Sequence, residues 1–305
     1  MPPFRLPVTG WLKSAAGLIT GGVLAFVADG ALGSAILSTL PPRRRVLATS
    51  DLTLDFIRPA DVNSDAIIAR ARVIEVGRSQ ALSEAAIEDT TGHLLAHATS
   101  RCIVTAVPGD LPDPPDAPVP WLDQPRPYPL ERPPEGEFVA GEVWEGTNGI
   151  DIQRAWHQGR LARTPLSNLL KAELRGVDEG SVALAMPASP WFSNTGGAFY
   201  GGALTLFADY AAHSAIQTTV PSATSWATLD LRIRLVVRSF RTGRSLIARA
   251  RVVHRGRRLA VAWVEVVTAD AKVAALPDAS AMLLPSVPWR VPAAPFDVQP
   301  PEGPG

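Results

Sequence analysis

The sequence predicts an α+β protein that contains the same unit twice, each unit a long buried helix enclosed by a curved antiparallel sheet. A pattern running from Gly21 to Arg78 recurs from Gly201 to Arg257 in the same order and with nearly the same spacing. Each copy opens with an apolar helical segment and continues with segments whose apolar residues alternate with period two. A helix that is apolar on all sides must be buried, and a sheet curved around it provides the cover.

The duplication is indicated by residue types that recur at a fixed offset. Two adjacent glycines and an aspartate eight residues after the first of them appear in both copies, 180 positions apart. They are Gly21, Gly22 and Asp29 in the first copy and Gly201, Gly202 and Asp209 in the second. A later strand begins at Thr49 in one copy and at Thr228 in the other, so the offset drops to 179 through a one-residue deletion in a loop.

Each copy divides into one helix and about four antiparallel strands. In the first copy the helix is predicted over Val23–Ile36, and apolar residues alternate through the strand that follows Thr49. Further strands are predicted over residues 67–76, 81–87 and 93–104. Turn residues between these segments, such as Gly77 and Gly92, mark the chain reversals.

The two copies differ in length before the paired glycines. The second copy has a predicted helix in the region 152–170 and a predicted strand over 181–186, whereas the first copy has only about 13 residues in which to begin. The first copy is therefore predicted to lack its first strand and its lead-in helix. Either Phe138–Trp144 supplies a substitute strand, or the true start codon lies upstream.

The composition sets the predicted domain boundaries. Residues 108–136 are rich in proline and acidic residues, which is typical of an extended linker. The tail after Trp289 is also rich in proline and is expected to be flexible. The predicted division is a first domain at 1–107, a linker with a candidate extra strand at 108–148, a second domain at 149–289 and a tail at 290–305.

Net charge and cysteine content limit the binding partners and metal sites that the sequence predicts. Lys and Arg total 29 and Asp and Glu total 29, so no net charge favours nucleic acid or an acidic membrane surface. The single cysteine, Cys102, excludes an intramolecular disulfide and a cysteine-based zinc site, and a reducing, cytoplasmic location fits best. We expect neither a metal nor an organic cofactor.

An apolar run near the N-terminus has two interpretations. Arg5 and Lys13 precede the run Ala15–Ala28, as they would in a signal peptide or membrane anchor. The run is shorter than the roughly 20 apolar residues that a membrane span needs, and Asp29 interrupts it. Because the same pattern recurs inside the chain at 201–215, we predict a buried helix of a soluble domain and no membrane association.

These residues resemble the hotdog-fold acyl-CoA thioesterases of the phenylacetate-pathway type. That family has an Asn seven residues before the first glycine of a His-Gly-Gly motif and an Asp eight residues after it, intervals that Asn194, Gly201 and Asp209 reproduce. In the first copy Ser14 stands at the Asn position, and the family His is Thr20 in one copy and Tyr200 in the other. The resemblance covers roughly residues 14–107 and 150–289 and implies a dimer of two hotdogs fused into one chain, with an acyl-CoA substrate.

The same residues suit thioester hydrolysis on chemical grounds. Paired glycines at a helix start expose backbone N–H groups at the positive end of the helix dipole, where they can stabilise an oxyanion. A carboxylate on an apolar helix has a raised pKa and can act as a general base toward water. It can instead attack directly and form an anhydride, and the sequence does not separate these two routes.

Helix geometry places each aspartate away from its own glycines. Eight residues along a helix separate Asp29 from Gly21 by about 12 Å, so pairing must occur across the two copies. Site one is predicted to combine Asn194 and Gly202 with Asp29, and site two to combine Ser14 and Gly22 with Asp209. We favour site one because it keeps the Asn. The predicted catalytic residues are Asp29, Asp209, Asn194, Thr49 and Thr228, and the predicted oxyanion or substrate-binding residues are Gly21, Gly22, Gly201, Gly202 and Ser14.

A histidine, three aromatic residues and several arginines could each have either a functional or a purely structural role. His213 lies one turn after Asp209 and could tune it, but Gly33 stands there in the first copy, which favours a surface or core histidine. Aromatic residues near Asn194 could line an acyl or aryl pocket or belong to the core; they are Trp191, Phe192 and Phe199. Arginines that could meet coenzyme A phosphates, or simply be solvated, are Arg43, Arg44, Arg45, Arg232, Arg234, Arg238 and Arg241.

Three functional hypotheses arise from the sequence. The first is a thioesterase acting on an acyl- or aryl-CoA, and the second is a non-catalytic hotdog protein that binds an acyl thioester. The absence of the family His from both copies favours the second. The third, a hydratase or dehydratase, ranks last because the copies offer no His and acid pair at matching places. We expect an intramolecular pseudo-dimer, and further homo-oligomerisation is left open.

Overall fold

The chain folds as two helix-and-sheet units joined through one continuous sheet. The computed structural model describes residues 3–41, 44–61, 63–106, 133–193, 199–236, 245–289 and 291, without the side chains of 44–47, 105 and 106. The first unit comprises β1 (Phe4–Pro7), α1 (Gly21–Thr39), β2 (Arg44–Phe56), β3 (Ala66–Val76), β4 (Gln80–Glu88) and β5 (Leu94–Ala106). The duplication and the predicted α+β class are confirmed.

The second unit repeats this order after a helical lead-in. Its lead-in consists of α2 (Gly141–Gly146), α3 (Gly149–His157), α4 (Pro165–Leu170) and β6 (Glu173–Asp178). The repeated part consists of β7 (Ser181–Pro187), α5 (Gly201–Gln217), β8 (Ser225–Leu235), β9 (Ser245–Arg255), β10 (Leu259–Thr268) and β11 (Val273–Leu284). Each long helix lies against the strands of its own unit, and α1 also packs on α5.

All strands form one antiparallel sheet in the order β1-β3-β4-β5-β2-β8-β11-β10-β9-β7-β6. The two units meet where β2 pairs with β8, with Thr53 opposite Arg232. These two residues are equivalent at the offset of 179, so a pseudo-twofold axis passes between them. The fused chain thus has the symmetry of an isologous dimer, in which the same surface of each unit contacts the other.

Helix α1 is long and apolar enough to cross a membrane by length and composition alone. In the fold 67% of its most apolar window is buried, and Val23, Ala28 and Leu32 are fully enclosed between the sheet and α5. Its apolar composition is explained by this central position, because the helix contacts protein on most of its faces.

Two sequence expectations about the start of the first unit are wrong. The first copy does not lack its first strand: β1 pairs with β3 as β7 pairs with β9, and Pro7 corresponds to Pro187 at the offset of 180. The candidate substitute strand at Phe138–Trp144 is not a strand, because α2 begins within it at Gly141. Trp144 on this helix packs in an apolar cluster, and its Nε1 donates to the Val139 carbonyl.

The predicted helix in the region 152–170 is divided into α3 and α4. Gly159 has a positive φ of 68° just after α3, which ends the helix, and Pro165 begins α4. The proposed linker is described only from residue 133 onward, where Glu135 accepts a hydrogen bond from Asn168 through its carbonyl. The remainder of the linker and, apart from Val291, the proposed tail lie outside the described residues.

Candidate active site

The N-terminus of each long helix contacts the carboxylate of the other. The backbone N–H of Gly202 donates to Asp29 Oδ2 at 2.7 Å, and the N–H of Gly22 donates to Asp209 Oδ2 at 2.9 Å. Both aspartates are buried, with Asp29 5% exposed and Asp209 0% exposed. The structure therefore brings together the pairs that helix geometry predicted across the two copies.

Glycine is required at the second position of each pair because the helices approach closely there. A Cβ on Gly22 would lie 2.8 Å from Asp209 Cβ and 2.9 Å from Leu206 Cα. A Cβ on Gly202 would lie 2.8 Å from the Phe26 carbonyl oxygen. Any side chain would push α1 and α5 apart and break the two amide–carboxylate hydrogen bonds.

Because of these hydrogen bonds, the two glycines of each pair have different roles. The amides of Gly22 and Gly202 are already used by carboxylates, so they are not free to bind a substrate oxygen. The amides of Gly21 and Gly201 donate to no acceptor among the residues that the structure describes. Among the described residues, the first glycine of each pair therefore offers an amide without an acceptor at a helix N-terminus.

In site one, Asp29 is held by short polar contacts, and an aromatic ring lies beside the glycine that donates to it. Thr49 Oγ1 donates to Asp29 Oδ1 at 2.9 Å. Burial raises the pKa of Asp29 above its ordinary value, and the hydrogen bonds from Thr49 and Gly202 oppose that shift. Tyr200 lies against Gly202 and donates its hydroxyl to the Phe26 carbonyl at 2.7 Å. Asn194, the residue that led us to favour this site, lies outside the described residues.

In site two, a histidine stands between the carboxylate and the threonine. His213 Nδ1 lies 3.4 Å from Asp209 Oδ2, and His213 Nε2 lies 2.9 Å from Thr228 Oγ1. Thr228 therefore contacts the imidazole, whereas Thr49 in site one contacts the carboxylate directly. Asp209 Oδ1 is buried without a hydrogen-bond partner among the described residues.

A cavity of about 290 Å³ opens beside site two. Its wall includes Ser14, Thr20 and Gly21 from the start of the first unit and His213 and Thr228 from the second. Apolar side chains form much of the remainder, among them Leu24, Phe56, Trp144, Trp226 and Trp289. The volume is at the lower end of the range of about 300–1,000 Å³ that is usual for small-molecule pockets.

The aromatic part of this wall is a cluster that sequence reasoning missed. Trp289 packs edge-on against Trp226 at 4.7 Å and against Trp144 at 6.2 Å between ring centroids. These residues come from the end of the second unit, β8 and α2, so nothing in their sequence spacing brings them together. The tryptophan content of the chain, eight residues, is the only signal that could have suggested an aromatic site.

The aromatic residues that the sequence did single out lie elsewhere. Phe192 and Phe199 are buried and pack on each other at 6.2 Å, whereas the side chain of Trp191 is 57% exposed. Ser14 borders the cavity, and Ser14 Oγ accepts a hydrogen bond from the Leu18 amide, which closes a local turn. Of the candidate phosphate-binding arginines, Arg232 and Arg234 lie on β8 with described side chains; Arg43, Arg238 and Arg241 lie outside the described residues, as do the side chains of Arg44 and Arg45.

The fold and the paired helix termini define a tandem hotdog protein. The family model of the thioesterase superfamily matches residues 16–96 and 196–275, one match in each unit. The two matches cover more than half of the chain, and the protein belongs to the thioesterase superfamily. Its class is therefore that of the thioester hydrolases. No curated protein matches the sequence.

Solved structures with the same architecture extend over nearly the whole chain. A hot dog fold protein of unknown function from Alicyclobacillus acidocaldarius is 16% identical with a TM-score of 0.58, and each chain is covered to 93%. A tesB protein from Mycobacterium avium subspecies paratuberculosis is 14% identical with a TM-score of 0.57 and the same coverage. An acyl-CoA thioesterase II from Mycobacterium marinum is 16% identical with a TM-score of 0.53, and each chain is covered to 90%. At these identities the similarity confirms the double hotdog fold.

Proposed function

We propose that this protein is an acyl-CoA thioesterase whose working site is site two. One observation carries the proposal: the apolar cavity is bordered by Gly21, at the start of α1, and by Thr228 and His213, which connect to the buried Asp209. Membership of the thioesterase superfamily supports the reaction class, and the cavity supports an apolar acyl group as the part that enters the protein. This choice departs from the sequence expectation, which favoured site one.

The proposed binding mode divides the substrate between cavity and solvent. A volume of about 290 Å³ suits an acyl group and is too small for a whole coenzyme A thioester. The carbonyl oxygen would accept a hydrogen bond from the Gly21 amide, where the dipole of α1 favours developing negative charge. Thr20 Oγ1, which is buried without a partner among the described residues, is a second donor at the same helix start.

The charged portion of coenzyme A would remain outside the cavity. Arg58 borders the cavity and is exposed, so its guanidinium can reach solvent-side phosphates. Within the proposed function, site one keeps the unit interface in place through Asp29, Thr49 and Gly202.

A thiol-release assay over a panel of acyl-CoAs tests the proposal. Ellman's reagent detects free coenzyme A, and the background is low because the only cysteine, Cys102, is fully buried. We expect hydrolysis of medium-sized apolar or aryl acyl groups in preference to acetyl-CoA. Binding of acyl-CoA without release of thiol would favour the non-catalytic alternative, and hydration of an enoyl-CoA without thiol release would favour a hydratase.

A further inference from the structure

We infer that the acyl group selected at site two carries a hydroxyl at the end farthest from its thioester, and that Gln153 and Gln217 recognise this hydroxyl. The inference rests on the proposed thioesterase function and names a substrate class for the same cavity. Its basis is a set of buried polar atoms in the cavity wall that have no hydrogen-bond partner among the described residues.

Two glutamines in the cavity wall have unpaired side-chain oxygens. Gln153 is 4% exposed and Gln217 is 3% exposed, and Oε1 of each is buried without a hydrogen-bond partner in the part of the chain that the structure describes. Trp289, in the same wall, has a buried Nε1 that is likewise unpaired there. Buried polar atoms are nearly always hydrogen-bonded, and an unpaired one is costly. A bound group that pairs with these atoms is therefore favoured over one that leaves them unpaired.

The glutamines lie at the end of the cavity that is remote from the start of α1. Asp209 accepts a hydrogen bond from Gly22 at that helix start, and Gln217 follows Asp209 by eight residues, about 12 Å along the axis of α5. Helix α3 packs against the end of α5, where a Cβ on Gly149 would overlap the Gln217 carbonyl, and Gln153 lies one turn after Gly149. A thioester held at the start of α1 therefore has the far end of its acyl group at the glutamines.

The two glutamines are not part of the repeated framework. At the offset of 180, Gln217 corresponds to Leu37, which is 49% exposed on α1. Gln153 lies on α3, in the helical lead-in that precedes the repeated part of the second unit. The long helix of the framework forms with leucine at this position, so a buried side-chain amide is not needed to build it. This difference favours recognition of a bound group as the role of the glutamines.

A neutral hydroxyl matches the unpaired atoms better than a charged group does. A hydroxyl both donates and accepts, so it can donate to a glutamine Oε1 and accept from Trp289 Nε1. The described residues of the wall include no carboxylate and one arginine, Arg58, which is exposed. A carboxylate or an ammonium group at the glutamine end would be buried without a counter-ion, which is strongly unfavourable. A methyl group there would leave the glutamine oxygens unpaired.

Substrates that differ only in the presence and position of one hydroxyl test the inference. We expect the kcat/KM of the wild-type protein for ω-hydroxyoctanoyl-CoA to exceed that for octanoyl-CoA by about tenfold to hundredfold, because the ω-hydroxyl pairs with the buried oxygens. β-Hydroxyoctanoyl-CoA has the same composition as the ω-hydroxy compound but carries its hydroxyl beside the thioester, so it should show no such gain. Equal values for the ω-hydroxy and unsubstituted substrates would overturn the inference.

Substitution of the glutamines distinguishes recognition from packing. In Gln217→Leu, which introduces the residue of the first copy, the ratio of kcat/KM for ω-hydroxyoctanoyl-CoA to that for octanoyl-CoA should fall close to one, since leucine cannot pair with the hydroxyl. Gln153→Leu should lower the same ratio. Gln80→Leu is the matched control, because Gln80 is exposed on β4, outside the cavity wall, and corresponds to Leu259 of the second copy.

Thermal melts verify that each variant is folded, and the comparison of substrates in the wild-type protein needs no variant. A purely structural glutamine would change the turnover of both substrates alike. A wild-type ratio that persists in folded Gln217→Leu and Gln153→Leu would therefore contradict recognition by these residues.

A binding measurement separates failure of this inference from failure of the proposed function. Quenching of tryptophan fluorescence reports the Kd of ω-hydroxyoctanoic acid and of octanoic acid, because tryptophans form part of the cavity wall. Hydrolysis of both thioesters with equal kcat/KM, together with equal Kd values, overturns the inference and leaves the thioesterase proposal standing. Tighter binding of the hydroxy acid without hydrolysis of any thioester overturns the proposed function and supports the hydroxyl preference. Equal Kd values without hydrolysis overturn both.

Discussion

Site one and site two each contain an aspartate whose carboxylate accepts a hydrogen bond from the second glycine of the opposite helix. The two sites differ in which other side chain contacts that carboxylate. In site one the threonine, Thr49, donates directly to Asp29. In site two His213 lies between Asp209 and Thr228, and Thr228 contacts the imidazole instead of the carboxylate. The comparison shows that a duplicated framework can hold two carboxylates alike and surround them with different side chains, and that the side chains next to Asp209 border a cavity.

The residue before each glycine pair adds to this contrast. At site one it is Tyr200, whose ring occupies space beside Gly202 and whose hydroxyl is hydrogen-bonded to the Phe26 carbonyl. At site two it is Thr20, which is small and borders the cavity. Thr20 and Tyr200 therefore give the two helix termini different surroundings.

Replacing each carboxylate by an amide, one at a time, should give the largest difference in kcat/KM between the two sites. Asp209→Asn keeps an acceptor for the Gly22 amide but removes the charge beside His213, so we expect kcat/KM to fall by about 10²–10⁴-fold. Asp29→Asn should change it by less than about threefold, since Asp29 serves the interface in this proposal. Steady-state kinetics of both variants, with the exposed Asp178→Asn as control, provide the measurement. A larger loss for Asp29→Asn would make site one the working site.

The tryptophans test whether the cavity selects the acyl group. Trp289→Ala removes packing against Trp226 and Trp144 and enlarges the cavity, so kcat/KM for bulky apolar acyl groups should fall by about tenfold. Acetyl-CoA should be affected much less, because it reaches little of the aromatic wall. Trp191→Ala, which removes a 57% exposed ring that is not among the cavity-wall residues, is the matched control. Equal losses for both substrates would count against selection by this cluster.

A smaller effect is expected at the cavity entrance. Arg58→Glu should raise the KM for acyl-CoA by about threefold to fivefold, in the range of one exposed ion pair. The KM for the N-acetylcysteamine thioester of the same acid, which has no phosphates, should not change. Arg257→Glu makes the same charge change on an exposed turn and serves as control. The corresponding residue of the second copy is Val237, so an arginine stands at this position only beside site two.

The smallest effect concerns stability at site one. Because burial raises the pKa of Asp29 in the folded protein, folding favours its protonated form, and its contribution to stability decreases as pH rises from the unfolded value through the folded one. The Asp29→Asn variant has no carboxyl group at this position to titrate. The Tm of the variant minus that of the wild type should therefore increase between pH 4 and neutrality, measured beside Asp55→Asn to subtract the loss of one exposed charge. A difference that decreases with pH would contradict the direction of the shift.

The sequence predicted the repeated framework because that information is local and periodic. The helices, the strands after them and the pairing of Asp29 and Asp209 with the opposite glycines are all consequences of spacing and helix geometry. Strand β1 was missed because four residues ending in proline show no alternation, although the offset of 180 from Pro187 points to Pro7.

The contents of site two could not be predicted in the same way. Contact between His213 and Thr228 depends on how β8 passes α5, and the cavity depends on α2 and the segment after β11 closing over the first unit. These are long-range packing relations between residues with no common period. Because Gly33 stands at the matching position of the first copy, the sequence favoured a surface or core role for His213, and its contact with Thr228 was not predicted.

The pseudo-twofold axis between Thr53 and Arg232 has an evolutionary consequence. In a dimer of identical chains, every substitution appears in both halves, so a change that improves one site is imposed on the other. A fused chain is free of that constraint, because position 33 and position 213 are encoded separately. One half can then specialise as a support while the other acquires new side chains, and a histidine present only once is a direct record of that freedom.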